Sequence, residues 1–283
     1  MKKLAFTKME GTGNDFVLLD AVRHPVRVTA ALARRLCDRR FGVGADQVLV
    51  LAPSREADFK MLIFNADGSQ VEMCGNGIRC LARYAFERGH TRKRKLNVET
   101  LAGIRQTVLV RQNVRVDMGA PLLDAALIPT RAKGRVIDHP FSLVTVPARG
   151  TKKEKVSLEM TCVSMGNPHA VVFVEDVDGV PLAEWGAAME QNPFFPRRTN
   201  VEFVQVTDPD NARVRVWERG SGATLACGTG ACAVGVAGVL TGRFHRKVTL
   251  SLPGGPLTVE WNADNRVYLT GPATFVFDGM FEI

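Results

Sequence analysis

No stretch of this 283-residue sequence approaches the roughly 18 consecutive apolar residues that a membrane-spanning helix needs. The opening Met1-Lys2-Lys3-Leu4-Ala5-Phe6 also lacks the apolar region of a signal peptide, so a cytoplasmic protein without a membrane partner is expected. Six cysteines are present, but not in the short paired spacing of zinc ligands: five residues separate Cys74 from Cys80, and four separate Cys227 from Cys232. Without export they are expected as free thiols rather than a disulfide framework, which leaves packing, metal or chemistry to account for them. Clustered charge is scarce too. The 37 Lys+Arg against 29 Asp+Glu give a net charge of +8, yet the basic residues are scattered apart from Arg92-Lys93-Arg94-Lys95. No nucleic-acid motif surrounds that run, which reads as a solvated turn, and no nucleic-acid partner is expected.

What is present is a globular composition, 46% hydrophobic and 23% charged, in a chain long enough for two medium-sized cores. Alternation over Lys3 to Met9 and the apolar run Phe16 to Leu19 predict strands around the turn-rich Gly11-Thr12-Gly13-Asn14-Asp15. Thr29 is placed as the N-cap of a helix over Ala30 to Arg40, with strands following at Gln47 to Leu51 and Phe59 to Phe64. Ile78, Leu81, Ala82, Ala85 and Phe86 recur at helical spacing up to Gly89, and Leu96 to Val116 has the pattern of a β-meander.

The second half repeats the first at a fixed offset. Cys227 lies 153 residues after Cys74, and the same offset carries Asn14 onto Asn167, Phe41 onto Phe194, Gln47 onto Asn200 and Asn65 onto Glu218. Beyond the helices, Asn113-Val114-Arg115-Val116 is echoed by Asn265-Arg266-Val267 at an offset of about 151 to 152. Two copies of one α+β domain are expected, with a boundary near Pro121.

Each copy sets a cysteine directly before a Gly-x-Gly at a helix start, Cys74-Gly75-Asn76-Gly77 and Cys227-Gly228-Thr229-Gly230. Unpaired amide N–H groups and the positive end of the helix dipole there favour thiolate. The glycines let backbone amides approach a carboxylate closely. One such motif fits a packed cysteine as well as a reactive one. Two related by an internal repeat suit a reaction that removes a proton from one face of a carbon and returns one to the other, with one sulfur as thiolate and its partner as thiol. Nothing in the chain suggests a pyridoxal site, a metal site or a nucleotide loop, so the expectation is a racemase or epimerase with no cofactor.

At these residues the chain resembles the diaminopimelate epimerase family. The resemblance is carried by Lys8-Met9-Glu10-Gly11-Thr12-Gly13-Asn14-Asp15-Phe16, Gly42-Val43-Gly44-Ala45-Asp46-Gln47, Phe64-Asn65-Ala66-Asp67-Gly68-Ser69 and Met73-Cys74-Gly75-Asn76-Gly77-Ile78-Arg79-Cys80. In the second half it continues in Met165-Gly166-Asn167-Pro168-His169, Glu218-Arg219-Gly220 and Ala226-Cys227-Gly228-Thr229-Gly230-Ala231. It implies an α+β fold of two homologous, pseudo-twofold-related domains, each a curved sheet or barrel around a central helix, with an active site in the cleft between them. The corresponding boundaries are 1–120 and 121–272, with a last strand in 273–283 rejoining the first domain. The implied reaction interconverts LL- and meso-2,6-diaminopimelate for lysine and peptidoglycan synthesis, and the implied assembly is a homodimer.

By the same resemblance, Cys74 and Cys227 are the acid and base thiols, and Gly75, Asn76, Gly228 and Thr229 hold the carboxylate at the reacting carbon. Asn14, Asn65, Asn167, Asn200, Glu218 and Arg219 grip the distal amino-acid end, with Gln47 close by. Arg can fork a carboxylate while Glu and amide oxygens take an ammonium, so the set is chemically coherent. The chain departs from many relatives at Ala223 and Gln70, where an acidic residue is common; neither touches the implied contacts.

Several residues carry two readings. His169 is either a support for a catalytic thiol or a hydrogen-bonded structural histidine, and Glu218 is a further candidate for catalytic support. Trp217 either packs or shapes the site wall. Glu72 reads as a solvent-facing strand residue, Cys80 and Cys232 as core, and Cys37 and Cys162 have no assigned role. Rival functions are a proline or hydroxyproline racemase of the same fold, whose first motif typically has His where Asn76 stands, and an isomerase of the phenazine-biosynthesis branch, which lacks the cysteine pair. From a different class comes a zinc-binding or redox thiol protein.

Overall fold

A computed structural model describes residues 3–145 and 154–283; Met1 and Lys2 of the amino-terminal stretch lie outside the described residues. Two compact units are present, residues 1–117 with 270–283, and residues 118–269. Among the described residues no helix is long and apolar enough to cross a membrane.

In the first unit, β1 (Lys3–Gly11) turns into β2 (Asn14–Asp20) through Thr12 and Gly13 alone. Both have positive φ, 55° and 81°, the conformation of a two-residue hairpin whose twist matches its strands. Thr29 caps α1 (Ala30–Cys37), its hydroxyl accepting from the Leu32 amide at 3.2 Å. The helix ends at Cys37, three residues short of the sequence expectation. The Asp38 carboxylate accepts from the amides of Arg40 and Phe41 at 2.7 and 2.8 Å, offering the backbone a turn in place of another helical turn. β3 (Gln47–Ala52) lies parallel to β2, and β4 (Phe59–Asn65) and β5 (Gln70–Val71) follow antiparallel.

Next comes α2 (Gly75–Glu87), then β6 (Lys95–Thr100), β7 (Gly103–Val110) and β8 (Asn113–Gly119), an antiparallel meander whose first strand runs parallel to β4. Strands β1, β2, β3, β4, β6 and β7 all touch α2, which is therefore wrapped by the sheet and buried from Gly75 to Ala82 without a solvent face. The final strand of the chain, Thr274–Glu282, pairs antiparallel with β1.

The second unit contains β9 (His139–Thr145), β10 (Glu154–Ser164), β11 (Pro168–Phe173), α3 (Leu182–Glu190), β12 (Asn200–Asp208), β13 (Asn211–Glu218), β14 (Gly222–Thr224), α4 (Gly228–Leu240), β15 (Lys247–Leu252) and β16 (Gly255–Trp261), and the boundary at residue 270 falls within β17 (Val267–Pro272). The repeat reaches down to strand register. Phe16 opposes Gln47 in the first unit and His169 opposes Asn200 in the second; Val48 opposes Phe64, and Val201 opposes Trp217. Each pair is displaced from its counterpart by the same 153 residues. Helices α2 and α4 are both 13 residues long and begin one residue after their cysteines. The last helix is apolar on every side, as expected of one contacting β10, β11, β12, β15 and β16.

Candidate functional site

Cys74 is the N-cap of α2, with an extended backbone, and its sulfur accepts from the Gly77 amide at 3.4 Å. The Asn14 amide nitrogen donates to the same sulfur at 3.7 Å, because the tight Thr12-Gly13 turn brings the start of β2 beside the helix end. Helix geometry leaves the amides of Gly75 and Asn76 without intrahelical partners. Beneath them lies Arg79, a fully buried arginine that donates to the Asn76 side-chain oxygen and the Thr12 hydroxyl, both at 2.9 Å, and to the Pro272 carbonyl at 3.0 Å. It joins the turn, the helix start and the chain near its last strand.

The distal candidates of this unit form a second group. Gln47 Nε2 donates to Asn65 Oδ1 at 2.8 Å, and Asn65 Nδ2 donates to Ser69 Oγ at 3.0 Å. Gln47 Oε1 is buried and has no hydrogen-bond partner, an acceptor left open for a donor from a ligand. The Asp67-Gly68 turn below them closes with Gly68 N–H on the Asn65 carbonyl at 2.9 Å. Nearby, Asp15 binds Lys8 at 2.7 Å and Arg39 at 2.8 Å. Burial pushes the Asp15 carboxyl up, but the Arg39 and Lys8 hydrogen bonds outweigh it and hold the group well below the usual carboxylate range.

In the second unit, Cys227 occupies the matching N-cap of α4 and lies 3.5 Å from the Thr229 hydroxyl. It is buried where Cys74 is half-buried. Burial first, and then the Glu218 and Glu202 carboxylates, push its thiol well above the ordinary range. Glu218 accepts from the Thr224 hydroxyl at 2.6 Å. Asn200 holds the Pro168 carbonyl at 2.8 Å and takes the Arg219 amide at 2.9 Å, so it ties the two candidate loops together and keeps one Nδ2 hydrogen for a ligand. The Arg219 guanidinium is exposed and donates to the Arg197 carbonyl. His169 is fully buried with both ring nitrogens engaged, Nδ1 with Glu202 at 2.7 Å and Nε2 with Asn167 at 3.1 Å, so neither faces a cysteine sulfur.

The structure adds Arg79, Glu190 and Glu202 to the residues around the candidate site. Glu190 accepts from Trp217 Nε1 at 2.8 Å and from the Gly220 amide at 3.0 Å, gripping the turn that carries Glu218 and Arg219 from both sides. The available signal was a charged residue within an apolar run, such as Glu202 in Val201-Glu202-Phe203-Val204. Cys80, Cys162 and Cys232 are buried core residues, and burial pushes the Cys162 thiol up to about 12.

The same architecture is seen in solved structures. A phenazine biosynthesis protein of the PhzF family from Bacillus anthracis aligns over 100% of both chains, with a TM-score of 0.69 and 18% identity. A hydroxyproline epimerase from Agrobacterium vitis aligns over 98% of this chain and 92% of its own, with a TM-score of 0.66 and 14% identity. A cysteine caps the enveloped helix of each copy, and at these identities the likeness shows a shared fold. The diaminopimelate epimerase family profile matches residues 6–123 and 161–276. A diaminopimelate epimerase from Moorella thermoacetica is 52% identical over 98% of this chain and 99% of its own length. The chain belongs to the diaminopimelate epimerase family.

Proposed function

We propose that Cys74 and Cys227 are the two acid–base groups with which this isomerase interconverts LL- and meso-2,6-diaminopimelate without a cofactor. The observation that carries the reading is a cysteine at the N-cap of each enveloped helix, followed in both by glycine. Cys74, accepting from the Gly77 and Asn14 N–H groups, is the resting thiolate; Cys227, whose burial disfavours ionisation, is the resting thiol. Cys74 removes the α-proton, the C–H electron pair passes toward the carboxylate, and Cys227 delivers its proton to the opposite face. The reverse reaction exchanges the roles. Amides of Gly75, Asn76, Gly228 and Thr229 hold the carboxylate and the charge that develops on it.

Asn14, Gln47, Asn65, Asn167, Asn200, Glu218 and Arg219 hold the distal amino-acid end. Gln47 Oε1 and the Glu218 carboxylate suit its ammonium, and the Arg219 guanidinium suits its carboxylate. The chain is further read as a cytoplasmic homodimer. Support for self-association comes from the last strand, β18 (Thr274–Glu282), where Val276, Phe277 and Met280 are about half exposed. Light scattering from the purified protein tests it, with a mass near that of one chain as the contrary result.

The central test is proton NMR of the reduced protein with LL-diaminopimelate in heavy water, beside Cys74→Ala and Cys227→Ala. Deuterium entering the α-position with meso product, and no net epimerisation by either variant, is the expected result. Exchange of proline or hydroxyproline in its place would move the substrate to the sister branch of the fold. Exchange of no amino acid would remove the two-thiol reading.

A further inference from the structure

The internal repeat supplies a control for every buried residue, and at two positions the copies disagree. The counterparts of His169 and Glu202, 153 residues earlier, are Phe16 and Leu49. All four side chains are fully buried, so the first unit fills with hydrocarbon the place where the second holds an imidazole and a carboxylate. Burying two ionisable groups costs more than burying Phe and Leu unless they do something hydrocarbon cannot. Here the pair sits at one end of a chain that reaches a candidate ligand residue. Glu202 Oε1 meets His169 Nδ1 at 2.7 Å, and His169 Nε2 meets Asn167 Oδ1 at 3.1 Å. An amide oxygen only accepts, so Nε2 carries a hydrogen. The 2.7 Å contact between Nδ1 and the carboxylate places one hydrogen between those two atoms. Burial pushes the Glu202 carboxyl up, and its Oε2 is buried without a partner, both in keeping with an acid that shares its proton with the imidazole.

We propose that Glu202 is a positioning residue: through the tautomer of His169 it locks the Asn167 carboxamide with its oxygen turned to the imidazole and its NH2 group turned to the ligand. Asn167 then presents donors only, which selects a carboxylate and rejects an ammonium at its point of contact. Among the described residues no hydrogen bond takes its Nδ2. In the first copy, where Phe16 offers nothing to hold, the corresponding Asn14 instead points its nitrogen at the Cys74 sulfur. This inference rests on the placement of Asn167 at the distal end of the substrate.

Glu202→Leu removes the partner of Nδ1 and frees the His169 tautomer, whereas Glu202→Gln can donate to Nδ1 and keep Nε2 protonated. The double variant His169→Phe/Glu202→Leu rebuilds the apolar pair of the first copy and is expected to fold even if Glu202→Leu alone does not. Two readouts are needed. Long-range 1H–15N NMR of 15N-histidine-labelled protein, with the His169 signal identified by its loss in His169→Phe, is expected to show the Nε2–H form in the wild type and in Glu202→Gln. In Glu202→Leu that form should be lost or mixed.

Steady-state kinetics with LL-diaminopimelate is expected to show KM raised about tenfold in Glu202→Leu and in the double variant, the scale of one misdirected hydrogen bond to a charged group. kcat should change much less, and Glu202→Gln should restore KM to within about twofold of wild type. A folded double variant with wild-type KM, or a wild-type His169 protonated on Nδ1 alone, overturns the proposal. Absence of diaminopimelate epimerisation by the wild type overturns the functional reading beneath it and is distinguished by being common to every protein tested.

Discussion

Gly77 and Gly230 occupy the same position in α2 and α4, 153 residues apart, yet a methyl group added to each meets a different neighbour. At Gly230 an alanine Cβ would fall 2.5 Å from Glu202 Oε1 and 3.2 Å from the Cys227 Cβ. Glu202 is fully buried and tied to His169 at 2.7 Å, so it cannot yield without stretching that bond. Overpacking of this kind costs about 1–3 kcal/mol, and a weakened buried hydrogen bond about 1–3 kcal/mol more. Better helix propensity returns about 1 kcal/mol. A net destabilisation of about 3 kcal/mol is expected for Gly230→Ala, or a fall of about 6–12 °C in the melting of the second unit. At Gly77 the nearest atoms are methyl ends, Leu49 Cδ2 at 2.9 Å and Ile63 Cδ1 at 3.5 Å, which side-chain rotation can move. Gly77→Ala is expected within about 1 kcal/mol of wild type. Differential scanning calorimetry of the two variants measures the contrast, and equal melting temperatures would falsify the reasoning.

Iodoacetamide should label Cys74 well before Cys227 at pH 7 to 8, since a raised thiol pKa delays thiolate formation until the pH climbs; peptide mass spectrometry that found equal rates would contradict the assigned resting states. For Asp15 the folded carboxyl lies below its unfolded value, so its contribution to stability is present above about pH 4 and is lost as the pH falls through the folded pKa. Asp15→Asn should therefore be less stable than wild type at pH 7 in urea, with the gap narrowing in acid; a gap that widens on acidification would reverse the sign argument. Gln47→Leu removes the unpartnered acceptor beside Asn65 and should lower kcat/KM about tenfold or more while leaving stability within about 1 kcal/mol. An unchanged kcat/KM would show that no substrate donor reaches it.

Local elements were legible where one signal dominated. Thr29 before an amphipathic run predicted a helix start, and the structure shows its hydroxyl on the Leu32 amide. The far end of that helix falls short of the expected Arg40 because the Asp38 carboxylate captures the next amides, a competition that apolar spacing does not record. Cys80 and Cys232 are recognisable as core from their place about a turn and a half into their helices.

What the sequence by itself determined was the period: turns and helix starts depend on a few neighbouring residues, so two copies of one module declare themselves at an offset of 153 residues. What only the tertiary structure decided was which polar groups lie together in the dark. Glu202 stands on a strand whose neighbours are buried on both faces, and its partner His169 is on an adjacent parallel strand 33 residues earlier. Arg79 likewise finds Thr12 across 67 positions and Pro272 across 193. Such partners are set by strand register and helix docking, because a buried donor or acceptor must find whatever group the fold brings within about 3 Å, however distant in the chain.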